Sequence, residues 1–192
     1  MISPDYTEAF ACGFEAWSGF WGDPLFSGAL MMGTYATAAL TALRASRSLR
    51  GAERAVWTLA VALLAFQVIN TPLDLHALLW ASGRCLSHIQ GWYTERYAYQ
   101  RDLLVLLAIT ACVVTAICIL LLRRDLLSNG LLVLGLSLSL SMTVVKGINY
   151  HALEALYQFP LGPLWVPDVI ELFGVALVLC AAYVKIKRPR QA

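Results

Sequence analysis

Several ionisable side chains fall inside or at the edge of long apolar stretches, among them Asp74, His76, Arg101, Lys146, His151, Glu154 and Glu171. A charge at mid-membrane costs roughly 2.5–3.5 kcal/mol, less near an interface, so such groups face the protein interior and pair. Asp74, Lys146 and Glu171 are therefore expected to form either a binding site or an ion-pair cluster that fixes helix packing, with Lys146 beside Glu171 and Asp74 beside Arg101. Lys146 can also reach outward to the interface on its long stem. As metal ligands, His151 and Glu154 are three apart and share a helix face, as do Asp168 and Glu171, whereas Asp74 and His76 are two apart and diverge on a regular helix. A metal-dependent hydrolase would draw on Asp74, His76, His151 and Glu154 around a metal. However, the sequence contains no HExxH, no paired ExxH and no CxxC, and His151 precedes Glu154 where a di-iron bundle has Glu before His. A bound metal is not expected. Neither a GxSxG elbow nor a glycine-rich phosphate loop occurs.

The most distinctive stretch runs Gly83-Arg84, then Gly91-Trp92-Tyr93-Thr94-Glu95-Arg96, then Gln100-Arg101. Arginine grips phosphate or carboxylate with a two-pronged fork, so Arg96 and Arg101 can clamp an anionic group, while Trp92, Tyr93, Tyr97 and Tyr99 suit headgroup depth. The same segment also reads as an interface anchor that neutralises Asp74 and Asp102. His76 and His151 can each ligate the metal of a pigment. A lipid headgroup or quinone fits His, Arg and Trp beneath an interface equally well.

These residues need a membrane scaffold. Of 192 residues 59% are hydrophobic and 14% charged, and the mean hydropathy is +0.68; soluble domains carry about 25% charged residues. Five continuous apolar stretches are long enough to cross the ~30 Å hydrocarbon core as helices. They run from about Leu25 to Leu43, Val56 to Trp80, Leu103 to Leu122, Gly130 to Tyr150 and Val169 to Val184. The expected fold is an all-α, single-domain bundle of five transmembrane helices. Ten basic residues (Arg44, Arg47, Arg50, Arg54, Arg123, Arg124, Lys185, Lys187, Arg188 and Arg190) fall on one side with Glu53 and Asp125, giving that face +8; four basic and ten acidic residues give the other −6, which together make the overall +2. An excess of Lys and Arg marks the cytoplasmic face, so the N-terminus is expected outside and the C-terminus inside. Topology accounts for the basic face, and no nucleic-acid binding is expected.

At ~1.5 Å per residue, Asp74 lies about 27 Å along span two from Val56 and Lys146 about 24 Å along span four from Gly130, at a depth similar to that of Glu171 near the entry of span five. Pro72, with Asn70 and Thr71, predicts a kink near Val68. Ser137, Ser139, Ser141 and Thr143 supply small contacts that let helices approach. Phe10, Phe14, Trp17 and Trp21 recur at helical spacing, as in an interfacial amphipathic helix, or else belong to a loop packed on the bundle. Cys12 and Cys85 both fall on the outer side, where a disulfide can form.

The pattern Asn70-x-x-Leu73-Asp74-Leu75, Gly83-Arg84, Gly91-Trp92-Tyr93-x-x-Arg96-x-x-x-Gln100, with His151 ahead of span five and Glu171 within it, resembles a family of uncharacterised bacterial multi-pass inner-membrane proteins. The likeness covers spans two to five. Pro72 and His76 stand where that family tends to have glutamines, and Tyr97 where a second arginine is usual. The resemblance implies a bacterial inner-membrane location and no particular activity, and it raises Asp74, Arg84, Trp92, Arg96, Gln100, His151 and Glu171 as one shared site. The expected function is a non-catalytic accessory or scaffold subunit of a membrane complex, self-associating or bound to other subunits, with a lipid, quinone or pigment in its outer polar layer. The alternatives are the metal-dependent hydrolase and an oligomeric transporter.

Overall fold

The computed structural model describes residues 4–18, 25–121, 126–148 and 159–187. Among them the chain is almost wholly helical. The helices are α1 (Pro4–Ser18), α2 (Leu25–Ser46), α3 (Gly51–Leu73), α4 (Leu75–Ile89), α5 (Arg96–Leu121), α6 (Leu126–Ile148) and α7 (Val166–Lys187). A 3-10 turn, Tyr93–Glu95, leads into α5. Ahead of α7, β1 (Pro160–Leu161) pairs antiparallel with β2 (Leu164–Trp165), Pro160 opposite Trp165. The chain turns between the two strands at Gly162, whose φ of 68° favours glycine.

Five helical segments are long and apolar enough to cross a membrane: Phe26–Ser46, Gly51–Leu73, Tyr93–Cys118, Leu127–Val145 and Val166–Lys187. They make the chain an integral membrane protein. Two boundaries differ from the sequence expectation. Span two ends at Leu73 rather than Trp80, and the helix of span three begins at Arg96 rather than Leu103. Hydropathy runs on through Leu75–Trp80, but the backbone of Asp74 turns left-handed (φ 53°, ψ 45°) and redirects the chain into α4. The helix of α3 continues through Pro72, which sits in its last turn and leaves the Val68 carbonyl without its usual i+4 donor.

The bundle packs α2 against α3 and α7, and α7 against α6. Its core is built from small side chains: Ala38, Ala42 and Ala45 of α2, Ala60 of α3, and Ala181 and Ala182 of α7 are all completely or nearly completely buried. In lipid there is no hydrophobic force between helices, so close van der Waals approach has to hold them, and small residues permit it. The side-chain gaps are filled by Tyr35, Trp57, Leu64 and Leu132. At the end near Glu53, three helices are tied by polar bonds. The Trp57 indole donates to Asn129 Oδ1 at 3.0 Å, Asn129 Nδ2 donates to Glu53 Oε1 at 2.9 Å, and Lys185 pairs with the same carboxylate. The fifth span-length helix, α5, touches the bundle sparsely, mainly along α6, where Thr115 and Ser137 share a hydrogen bond of 2.9 Å. Leu106, Ile109, Val113 and Leu120 of α5 point away from the protein.

The N-terminal segment is a helix, and it lies along α4 rather than alone. Cys12 and Cys85 are joined by a disulfide, with Cα atoms 6.2 Å apart. One residue on, Gly13 crosses Ser82 so closely that a Cβ there would stand 2.5 Å from the Ser82 backbone. Trp17 is buried, whereas Phe10 and Phe14 remain exposed.

Candidate functional site

The break at Asp74 shapes the site. An aspartate tolerates the left-handed region better than most residues, because its short side chain finds local partners. Trp17 steadies the turn: its indole N–H donates to the Leu73 carbonyl at 2.9 Å, at the end of α3, and to the Asp74 carbonyl at 3.2 Å, which also accepts from the Ala77 N–H. On a continuous helix Asp74 and His76 would diverge. The left-handed residue swings them together instead, and His76 Nε2 lies 2.9 Å from Asp74 Oδ1. That contact places the Nε2 proton toward the carboxylate. His76 Nδ1 is buried and has no hydrogen-bond partner among the described residues.

His76 opens onto a cavity of about 690 Å³. Its walls are the end of α3 (Phe66, Asn70), one face of α4 (Leu75, Leu79, Trp80, Arg84, Ser87), the Trp92–Leu107 segment, and Thr143 and Val144 of α6. Five residues singled out from the sequence line it: His76, Arg84, Trp92, Arg96 and Gln100. Asp74 adjoins them through His76. The aromatic-basic segment supplies much of the wall. Gly91, at φ 77°, ends α4's exit turn. Tyr93 then stacks on His88 with ring centroids 3.8 Å apart, and Trp92 packs against Tyr99 at 4.9 Å. Arg96 is held between two rings, its Cζ 4.0 Å from the Tyr93 centroid and 4.3 Å from that of Tyr97. It also donates to the Tyr93 carbonyl at 3.0 Å and to the Tyr97 hydroxyl at 2.7 Å. Arg84 lies over the Trp80 ring at 5.6 Å.

The remaining candidates lie elsewhere. Arg101 does not meet Asp74; it pairs with its neighbour Asp102 at 3.1 Å, both well exposed. Adjacent exposed side chains on α5 reach one another directly, so this pair needs no buried partner. Glu171 is built into the core, where Ser139 and Tyr35 share a bond of 2.7 Å and the Tyr35 hydroxyl donates to Glu171 Oε2 at 3.1 Å. Tyr35 thus links α2, α6 and α7. Gln67 of α3, also buried, donates to the Thr143 hydroxyl on the cavity wall. Asp168 accepts from the Trp165 backbone N–H at 3.0 Å at the start of α7. Lys146 belongs to α6, but its side chain lies outside the described residues, as do His151 and Glu154. Among the described residues no three His, Cys, Asp or Glu side chains come together as metal ligands.

Tyr35 and Gln67 were absent from the sequence candidates. The signal for both was available: each is a polar side chain deep in an apolar stretch. Trp17 carried only an aromatic-belt signal, which says nothing of its bond to a helix end. No protein-family model matches the chain, and comparison with curated proteins and with solved structures finds no match either.

Proposed function

We propose that the protein is a non-catalytic accessory subunit of a membrane complex and holds an amphiphilic ligand (a lipid, quinone or pigment) in the cavity between α4 and the start of α5. A bacterial inner membrane, with the cavity at its outer face, is the setting that the charge asymmetry and the sequence resemblance favour. The observation that carries this reading is the cavity itself. Its volume of about 690 Å³ is in the range that small-molecule ligands occupy. Its lining combines apolar side chains (Phe66, Leu79, Leu103, Leu107) with His76, Arg84, Arg96 and Gln100. That combination suits a molecule with one polar and one apolar end. The uncovered face of α5 supports the subunit role, since it offers an unused helix surface to a partner subunit as readily as to lipid.

Native mass spectrometry of the protein released gently from its membrane tests this. Co-purifying subunits together with a stoichiometric lipid, quinone or pigment are the expected result. A bare chain that binds no amphiphile and turns over a substrate overturns it.

The contact between Asp74 and His76 favours one second reading, a membrane-embedded hydrolase. A carboxylate that orients an imidazole beside a lipid-sized cavity is the arrangement of a general base. Its metal-dependent form would need His151 and Glu154 as well as His76. On this reading His76→Gln abolishes turnover of a lipid ester while leaving ligand occupancy unchanged.

A further inference from the structure

We infer that the cavity takes a phosphate-bearing anion, held jointly by Arg84 and Arg96. This rests on the reading of the cavity as a ligand site and specifies the chemistry of the ligand's polar end.

Among the described residues no Asp or Glu lines the cavity, although two arginines do. Neither guanidinium meets a carboxylate among the described residues; their neighbours are aromatic rings, one carbonyl and one hydroxyl. The contrast with Arg101 is direct. That residue lies outside the cavity and is neutralised by Asp102. An anion from outside the chain would complement two arginines that line one cavity and have no carboxylate partner among the described residues. A guanidinium has five N–H donors, and the two bonds of Arg96 leave others for a ligand. Stacking on Tyr93 and Tyr97 fixes the plane of the Arg96 fork in advance, which lowers the ordering cost of binding. Planar, two-pronged donors match tetrahedral phosphate oxygens. The carboxylate of Asp74 is taken up by His76 and does not line the cavity, so it does not compete for the arginines.

The source of the phosphate is read from the rest of the wall. Leu79, Leu103 and Leu107 would accommodate an acyl chain, and Trp80 and Trp92 belong at headgroup depth. A phospholipid with net negative charge satisfies both ends, whereas a soluble phosphate satisfies only the arginines.

The test uses the full chain in neutral detergent, with native mass spectrometry as readout and phosphatidylglycerol, phosphatidylcholine or inorganic phosphate added in turn. One phosphatidylglycerol is expected to bind about tenfold or more tightly than phosphatidylcholine, to weaken about tenfold in Arg84→Gln and in Arg96→Gln, and to be unaffected by Arg101→Gln. Arg96→Lys keeps the charge but loses the fork, and falls between. Binding of inorganic phosphate with the same arginine dependence, without retention of phosphatidylglycerol, supports the phosphate site and makes its source soluble. Equal retention of both lipids, unchanged by either glutamine variant, overturns the inference and leaves the ligand-holding reading intact. Failure to bind any amphiphile or phosphate overturns both. Should Arg96→Gln fail to fold, Arg84→Gln carries the comparison, because the only described contact of the Arg84 side chain is with the Trp80 ring.

Discussion

Gly135 and Gly174 approach so closely that a Cβ on Gly135 would stand 2.5 Å from the Gly174 carbonyl oxygen, and one on Gly174 would stand 2.7 Å from the Gly135 carbonyl oxygen. The contact sets the spacing of α6 and α7, and the hydrogen bond from Ser139 to Tyr35 depends on that spacing, since a Cβ on Gly174 would also come within 2.9 Å of the Ser139 nitrogen. Backbone cannot yield as a side-chain tip can. Gly135→Ala and Gly174→Ala should each destabilise the protein by about 1–3 kcal/mol. Gly33→Ala on α2, where a new Cβ meets nothing within 4 Å, should leave stability unchanged or raise it slightly. Thermal melting in detergent, followed by helical signal, checks all three.

The Ser139–Tyr35–Glu171 chain joins three helices through a single hydroxyl. Tyr35 is 1% exposed, and both Ser139 and Glu171 are buried with it, so Tyr35→Phe removes bonds that water cannot replace. The expected loss is about 1–3 kcal/mol. Because Tyr35 and Glu171 act as a pair, Tyr35→Phe combined with Glu171→Leu should destabilise by less than the sum of the two single changes. Additive losses in a denaturant series on the four proteins would show that the pair is not coupled.

Much of this architecture is legible in the sequence, for reasons that differ by element. The five long helices follow from the length and continuity of apolar stretches, and those around Leu25–Ser46 and Val166–Lys187 end within a few residues of where hydropathy places them. The end of α3 was not legible. Leu75, Leu78 and Leu79 continue the apolar run past Asp74, and hydropathy does not register a single left-handed residue. That one dihedral turns an expected 25-residue span into a span and a separate helix, and it converts Asp74 and His76 from diverging neighbours into bonded ones. Arg84, Trp92, Arg96 and Gln100 could be singled out by type and spacing, but their convergence depends on the break at Asp74 and on α4 packing against α6. The partners of Tyr35 lie 104 and 136 residues away along the chain, beyond any local pattern.

Asp74 itself offers a test that separates backbone from side chain. A non-glycine residue at φ 53° is strained by about 1–2 kcal/mol, somewhat less for Asp and Asn. Asp74→Gly relieves the strain and removes the partner of His76; Asp74→Ala removes the partner and keeps the strain. Asp74→Ala should therefore be less stable than Asp74→Gly by about 1 kcal/mol. Asp74→Asn should stay near the parent protein, since asparagine tolerates the left-handed region and its amide oxygen still accepts from Nε2. Equal stability of the alanine and glycine variants would mean that the turn relaxes once the carboxylate is gone.

Trp17 and the Cys12–Cys85 bond hold α1 on α4 in different ways. The disulfide fixes the middle of α1 covalently across 73 residues of sequence, and the indole fixes its end to the carbonyls of Leu73 and Asp74. With the disulfide intact, Trp17→Phe should keep α1 in place, lower stability by about 1 kcal/mol for the lost hydrogen bond, and raise amide exchange at the first turn of α4, whose Ala77 and Leu78 N–H groups bond to Asp74. Cys12→Ser with Cys85→Ser should act on the other end. It removes about 2–4 kcal/mol of constraint, yet Gly13 and Trp17 still seat the helix, so exchange should rise along α1 before it rises at Asp74. Combining the cysteine changes with Trp17→Phe leaves α1 without either hold, and protease should then cut within residues 4–18 while the five long helices remain protected. Exchange that rises uniformly along α1 and α4 in the double cysteine variant alone would show that the indole contributes nothing without the disulfide.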